Sequence, residues 1–355
     1  VYQLVPWLEE AGIECDVEPL IGENDYTAAR SAGKYFDKSR MLAGGFARRV
    51  SALLRARKYD LVYVLKGAFP YGPPIIEQLL RTGNVPVIFD FDDAIHIHKK
   101  SVSHRFLDYL KSTRRVGQVA ALASRVVVPN EFLADFAREF NSAVTVVPEA
   151  ENTERLVPRT PHANGSKTVI GWVGSSSTAK YLTLIEEALR AVCDRFPNVV
   201  LRVIGGKFES EGVRAELVDW NFDQEVQQFH DLDIGIMPLP LEEWSKGKSG
   251  CKLRQYMAAG VPGVGTAIGY NLELVEHGRT GFLATTQDEW VDCLSTLIER
   301  PELRNTIAAA ARRDVEQRFA INVIGPKLEA AIRETVDEFR VAPSRAAGRA
   351  GRSVA

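Results

Sequence analysis

Two lysines four residues apart, Lys248 and Lys252, stand at the start of a helical pattern, S-G-C-K-L-R-Q-Y-M-A-A. Cations at a helix N-terminus oppose the macrodipole, a misfit that an anion between them would relieve. A diphosphate is such an anion; two solvated lysines are the plain alternative. A second candidate cradle follows the run T-V-I-G-W-V-G. There Ser175, Ser176, Ser177, Thr178, Ala179 and Lys180 lead into a helix, so backbone N–H groups, hydroxyls, the helix dipole and the Lys180 charge would converge. The same hydroxyls equally serve as helix caps. A third cluster, Asp90, Asp92, Asp93 and His96, follows P-V-I-F-D-F. Carboxylates and an imidazole at a strand's carboxyl end suit ligand binding or general-base work. Asp-x-Asp-Asp with His96 and His98 is also a metal-like set, and carboxylates there can cap a helix. Lys66, after L-V-Y-V-L, holds a comparable strand-end place. Trp220 and Asn221, past another strand end, could seat a nucleobase or serve the core or a cap.

Positioning these groups requires parallel sheets. Short apolar, β-branched runs alternate with longer helical patterns, the signature of strands joined by crossover helices. Strands are expected at Ile13–Leu20, Leu61–Leu65, Val85–Phe89, Val126–Val128 and Val144–Val147 in the first half. In the second half they are expected at Thr168–Val173, Val199–Ile204, Ala215–Val218, Ile234–Met237 and Gly263–Thr266. Helices are expected at Met41–Arg57, Ser103–Ala123, Tyr181–Phe196, Ser249–Ala259, Gln287–Glu299 and Pro301–Phe319, with a last one at Gly325–Phe339. The stretch from Glu151 to Lys167 loses periodicity and gathers Pro158, Pro161, Asn164, Gly165 and Ser166, a linker composition. The expectation is an α/β protein of two doubly wound, Rossmann-like domains, 1–155 and 165–320, facing each other across a cleft. Ligands in such folds bind at the carboxyl ends of strands. A segment 321–340 is expected to cross back to the first domain, and 341–355, rich in Ala, Gly, Ser and Arg, to be disordered.

Composition agrees. The 355 residues are 45% hydrophobic and 25% charged with a net charge of −2, which excludes collagenous, coiled-coil and disordered classes. No uncharged apolar run approaches the ~18 residues of a membrane-spanning helix. The longest, Met257 to Tyr270, is interrupted by four glycines and a proline. Cys15, Cys193, Cys251 and Cys293 lie far apart without C-x-x-C spacing, which fits a reducing compartment. The opening VYQLVPWLEEAG reads as a helix ending at Gly12, where an α/β domain ordinarily opens with a strand; a first strand and its loop are expected to be missing. Arg40 to Lys58 holds six basic residues and no acid, and Lys99 to Arg115 six Lys or Arg against one Asp. Such stretches can dock on anionic lipid or an anionic acceptor, or be ordinary solvated faces. No nucleic-acid motif accompanies the charge.

The order P-L-P…K-S-G-C-K-L-R-Q-Y-M-A-A-G-V-P-G-V, then N-L-E-L-V-E-H-G-R-T-G-F-L, resembles the donor-binding domain of retaining glycosyltransferases of family 4, which have the GT-B fold. I-G-W-V-G-S, E-R-P-E-L-R-N, F-D-F-D-D-A and V-V-P-N-E-F-L-A fit the same family, and the resemblance extends to about Phe319. It implies transfer of a sugar from a nucleoside diphosphate donor with retained configuration, no metal and no further cofactor. Lys248 and Lys252, with Gly174 and Ser175, would then stabilise the leaving diphosphate. Glu273 would lie near the sugar-binding loop, and Gly269 would let the backbone approach the donor. Asp92, Asp93 and His96 would serve the acceptor, whether saccharide, lipid-linked or small molecule. A cytoplasmic place is implied, with peripheral contact at the inner membrane surface as an extension. The family's two glutamates, eight positions apart, fall here on Gly247 and Gln255. A glutamine oxygen still accepts a hydrogen bond, whereas Gly247 would need its backbone, Glu242 or Glu243 to contact the sugar. That departure keeps open a non-catalytic nucleotide-sugar-binding protein; a nucleotide-sugar epimerase of similar architecture is a third reading.

Overall fold

The computed structural model describes residues 2–21, 35–70, 72–97, 113–160 and 167–341. The chain divides into two compact units, one made of 1–7 with 148–325, the other of 8–147 with 326–355.

In the first of these, six strands form a parallel sheet in the order β10-β9-β8-β5-β6-β7. They are β5 (Thr168–Val173), β6 (Val199–Ile204), β7 (Ala215–Val218), β8 (Ile234–Met237), β9 (Gly263–Thr266) and β10 (Phe282–Ala284). Every residue of β5, β8 and β9 is buried, as expected of central parallel strands covered on both faces by helices. The helices Glu186–Arg195 and Gln287–Glu299 supply one buried cluster with Trp172, Ile234 and Trp290. The helices Cys251–Ala258 and Pro301–Phe319 supply the other, around Phe229, Tyr256 and Phe319. Gln287–Glu299 starts with a full capping box, Thr286 and Glu289 each bonding the other's main chain, which satisfies two otherwise orphaned N–H groups.

The other unit carries a parallel four-stranded sheet in the order β1-β2-β3-β4, from β1 (Val62–Leu65), β2 (Val87–Asp90), β3 (Arg125–Val128) and β4 (Val144–Val146). The strands expected in both halves from Leu61 onward are present within a residue or two. The exception is Ile13–Leu20, which is not a strand. Two of its carbonyls are taken by arginines of the helix Tyr35–Arg55 instead of by a neighbouring strand. Arg49 donates to the Glu18 carbonyl at 2.8 Å and Arg48 to that of Leu20 at 2.8 Å, while Arg55 pairs with the Glu18 carboxylate at 2.5 Å. Much of that basic helix is therefore occupied by its own chain. The last helix, Ile321–Val341, places Thr335 and Glu338 on Arg125 of β3, both at 2.9 Å.

The opening helix, Val5–Glu10, does stop at Gly12, whose φ of +80° suits a glycine helix end. The four cysteines are free thiols, and among the described residues no helix is long and apolar enough to cross a membrane. His98, most of the Lys99–Arg115 basic stretch, the first part of the Ser103–Ala123 helix and the 342–355 tail lie outside the described residues.

Candidate functional site

In the six-stranded sheet β5 is flanked by β6 on one side and β8 on the other, so the chain's direction of winding reverses between β5 and β8. Ligands bind outside the carboxyl ends of strands at such a switch point. Gly174 and Ser175 follow β5 there, and a Cβ placed on Gly174 would stand 2.9 Å from Lys252 Cε. The two expected site segments, the end of β5 and the start of Cys251–Ala258, thus meet. Tyr256 fixes that helix. Its hydroxyl accepts from Val173 N–H at 3.2 Å and lies 3.2 and 3.3 Å from the carbonyls of Ile236 and Gly171. Its ring fills the place of a missing side chain at Gly235, 2.4 Å from where a Cβ would be. Burial pushes the Tyr256 phenol well above its ordinary pKa, so it stays a neutral donor.

Lys248 and Lys252 both contact aromatic faces, Lys248 Nζ at 4.2 Å from the Trp244 ring centre and Lys252 Nζ at 5.4 Å from that of Trp172. Between them the chain turns through Gly250, whose φ of +71° is a left-handed conformation that favours glycine. Gly269, also left-handed, backs onto the main chain of Lys246, where a Cβ would fall 2.5 Å from the Lys246 Cα. The glycine is required by that loop-to-loop contact. Gly247, beside Lys246, is buried, Gln255 is half-buried, and Glu242, Glu243 and Glu273 are exposed.

The serine-rich loop differs from expectation. Its helix is the single turn Ser176–Ala179, followed by a 3-10 stretch, Lys180–Ile185; the regular helix begins only at Glu186. One turn aligns few peptide dipoles, so the loop offers hydroxyls and N–H groups more than a helix macrodipole. Ser175 and Ser177 hydroxyls lie 2.8 Å apart, and Lys180 Nζ sits 5.6 Å from the Tyr181 ring centre.

Beyond β7, Trp220 is half exposed, donates from Nε1 to Glu225 at 3.0 Å and meets Phe222 edge to face. Arg155 stacks on Phe222 at 4.0 Å and pairs with Glu225 at 2.5 Å. Trp220 also lies against Gly205, itself packed on the Gly174 carbonyl. Asn221 makes a local turn, its side-chain oxygen accepting from Asp223 N–H at 2.9 Å.

In the four-stranded unit Asp90 accepts from the Tyr63 hydroxyl at 2.5 Å, and Lys66 Nζ reaches Asp92 at 2.7 Å and Asp93 at 3.9 Å. Lys66 has φ +59°, a strained setting for a residue with a Cβ. The turn after it is held from beneath. Buried Glu77 accepts from Ala68 N–H and from buried Arg115, both at 3.0 Å. Arg115, counted above in a basic stretch, is therefore an internal ion-pair partner. His96 stacks on Phe136 at 3.9 Å. Among the described residues no cluster of three or more His, Cys, Asp or Glu could hold a metal ion.

Sequence reasoning passed over Glu149 and Arg254. Arg254, 1% exposed, pairs with Glu149 and donates to the Ser249 carbonyl, while the Ser249 hydroxyl donates to Glu149 at 2.8 Å. Burial raises the Glu149 carboxyl, but the Arg254 charge and the two hydrogen bonds outweigh it and leave its pKa below the ordinary value. An arginine inside the apolar stripe of a helix was the available signal, since such a group needs a buried anion.

Residues 167–300 match the model of a family described as glycosyl transferases group 1. No match is found among curated proteins. Solved structures give the fold. A sucrose-phosphate synthase from Thermosynechococcus elongatus is 15% identical with a TM-score of 0.65, covering 87% of this chain and 82% of its own. A glycosyltransferase from Rickettsia africae is 15% identical with a TM-score of 0.65, at 96% and 94% coverage. HepE from Anabaena, determined with UDP-glucose, is 18% identical with a TM-score of 0.60, at 81% and 82% coverage. The architecture is GT-B.

Proposed function

We propose that this chain is a glycosyltransferase that takes a sugar from a nucleoside diphosphate donor, retains its anomeric configuration and needs no metal. The observation that carries the reading is the meeting of Lys252 with Gly174 at the β5–β8 switch point, inside the segment that matches group 1 glycosyltransferases. Lys248 and Lys252 would face the diphosphate as its bond to the sugar breaks. Their charges, held on one short loop and helix, are already oriented for the leaving group, the preorganised electrostatics that lower such a barrier. Gly174 and Ser175 would offer N–H and hydroxyl donors, and the half-exposed Trp220 face a surface for the base. The acceptor hydroxyl, from a saccharide, a lipid-linked sugar or a small molecule, would bond the anomeric carbon as the bond to the diphosphate breaks, its proton passing to the departing diphosphate. Asp92 and Asp93 are the groups proposed to receive the acceptor, and Lys66 orients the first of them.

Calorimetric titration with UDP, GDP and ADP, without metal and then with Mg²⁺, tests the donor site. Metal-independent binding of one nucleotide supports the reading, and Lys252→Ala should then weaken it by roughly 10- to 100-fold, the loss of a charged hydrogen bond. Unaltered affinity in that variant would refute the placement of the diphosphate. The non-acidic Gly247 and Gln255 favour a second reading, a nucleotide-sugar binder without turnover. Acceptor-dependent release of nucleoside diphosphate separates the two.

A further inference from the structure

Of the lysines proposed to face the diphosphate, Lys252 lies on a helix and Lys248 does not. From Pro238 to Gly250 the chain is a loop with one helical turn, Glu243–Lys246, and Lys248 sits within it. Charges on a mobile loop lose part of their binding advantage in being ordered at each encounter. Ser249, between the lysines in sequence and buried, is the residue by which the loop is fastened. Its carbonyl accepts from Arg254, its hydroxyl donates to Glu149 at 2.8 Å, and Arg254 and Glu149 pair with each other. Arg254 also faces the ring of Phe319, 5.6 Å from its centre, at the end of the helix Pro301–Phe319. The three residues close a polar ring in which the carbonyl and hydroxyl oxygens of Ser249 are both held.

Glu149 stands at the N-terminal end of Cys251–Ala258, next to a site proposed for an anion, and its charge is balanced by Arg254, so the pair can hold the loop without repelling the ligand. We infer that Glu149 and Arg254 are positioning residues for the donor diphosphate, locking the Ser249 segment so that Lys248 and Lys252 are presented in fixed places. The inference rests on the donor reading above. It goes further in assigning the specificity for a diphosphate, as against a bare nucleoside, to an ion pair between buried Arg254 and half-buried Glu149 that need not touch the ligand.

Two opposing effects give the test its sign. Glu149→Gln keeps shape and an acceptor for Arg254 but removes one negative charge. If Glu149 acts only through its field, that variant binds nucleoside diphosphate more tightly. If it positions the loop, binding weakens, on the order of tenfold for one lost charged hydrogen bond. Ser249→Ala cuts the same link without any change of charge and should weaken binding in the same direction. UDP, GDP and ADP, each with its parent nucleoside, are titrated into the unsubstituted chain and both variants, and thermal midpoints are recorded without ligand. The expected result is a loss for the diphosphate in both variants with nucleoside affinity unchanged, while the midpoint falls in Glu149→Gln, where buried Arg254 loses its charged partner, and less in Ser249→Ala, where the ion pair survives. Equal losses for diphosphate and nucleoside would mean a general structural role and overturn the inference, as would unchanged or tighter diphosphate binding in Glu149→Gln. Failure of the unsubstituted chain to bind any diphosphate would overturn the donor reading and this inference together, so the two failures are told apart.

Discussion

Lys252 and Gly174 touch: a Cβ on the glycine would stand 2.9 Å from Lys252 Cε, and 2.7 Å from Trp172 Cη2. The contact joins the end of the central strand to the first turn of the helix beside it. It also makes Gly174 a matter of space, with no demand from backbone angle. In Gly174→Ala the lysine end can swing aside, but Trp172 is 1% exposed and cannot. Overpacking of this kind costs about 1–3 kcal/mol. The expected outcome is a modestly lowered thermal midpoint together with weaker nucleoside diphosphate binding, because Lys252 is the group displaced. Melting and titration of one sample check both. Undiminished affinity would show that Lys252 does not need its present place.

Lys66 offers a test of strain. Its left-handed backbone disfavours a side chain by roughly 1–2 kcal/mol, and its half-exposed ion pair with Asp92 returns about 0–1 kcal/mol. Lys66→Gly should therefore melt near the unsubstituted chain. Lys66→Val, with a branched Cβ in the same conformation, should melt clearly lower. The ordering is the prediction, and a valine variant as stable as the glycine variant would contradict it.

These two residues also show what could be read from sequence and what could not. Gly174 and Lys252 were legible because each follows a local pattern, a buried strand ending in glycine and a lysine pair before a helix. The strands from Leu61 onward were legible for the same reason, since a parallel strand buried on both faces is a continuous apolar run. Ile13–Leu20 has the apolar content of a strand, but whether a ladder forms depends on a neighbour, and there Arg48 and Arg49 bond its carbonyls instead. Two arginines of the basic stretches have partners within the chain that the local sequence does not announce. Arg115 is buried on Glu77, and Arg55 is paired with Glu18. Glu149 and Arg254 stand 105 positions apart and meet only through the fold. Gly269, expected to let the backbone approach a donor, packs against the main chain of Lys246, a neighbour that its own sequence does not announce.

The contact of Tyr63 with Asp90 is a hydrogen bond from a neutral phenol to a carboxylate. Tyr63 is a neutral donor whose phenol burial pushes up, with the Asp90 charge adding to the effect. Tyr63→Phe removes the 2.5 Å hydrogen bond from a carboxylate that is 7% exposed. Loss of a partner to a buried charged group costs about 1–3 kcal/mol. Chemical denaturation should show a midpoint lowered accordingly with an unchanged slope. A midpoint equal to that of the unsubstituted chain would mean that Asp90 draws its support from elsewhere.

Glu151 gives the fold a pH dependence of unusual sign. It is 6% exposed, and burial raises its pKa from 4.5 to about 7, helped by the charges of Glu149 and Glu225 and opposed by Arg254. The folded state then holds a proton that the unfolded state has released between about pH 4.5 and 7. Stability contributed by this group therefore falls as pH rises through that window and is flat above it. Glu149, shifted below its ordinary pKa, works in the opposite sense and loses its contribution in acid. The difference between variants isolates Glu151. Glu151→Gln, which mimics the protonated carboxyl, should be more stable than the unsubstituted chain at pH 8 by on the order of 3 kcal/mol. The two should converge near pH 4, where the native glutamate carries its proton in both states. Urea unfolding of both proteins at the two pH values measures the difference directly. A gain of the same size at both would mean that the substitution acts through packing, and that Glu151 ionises at its ordinary pKa.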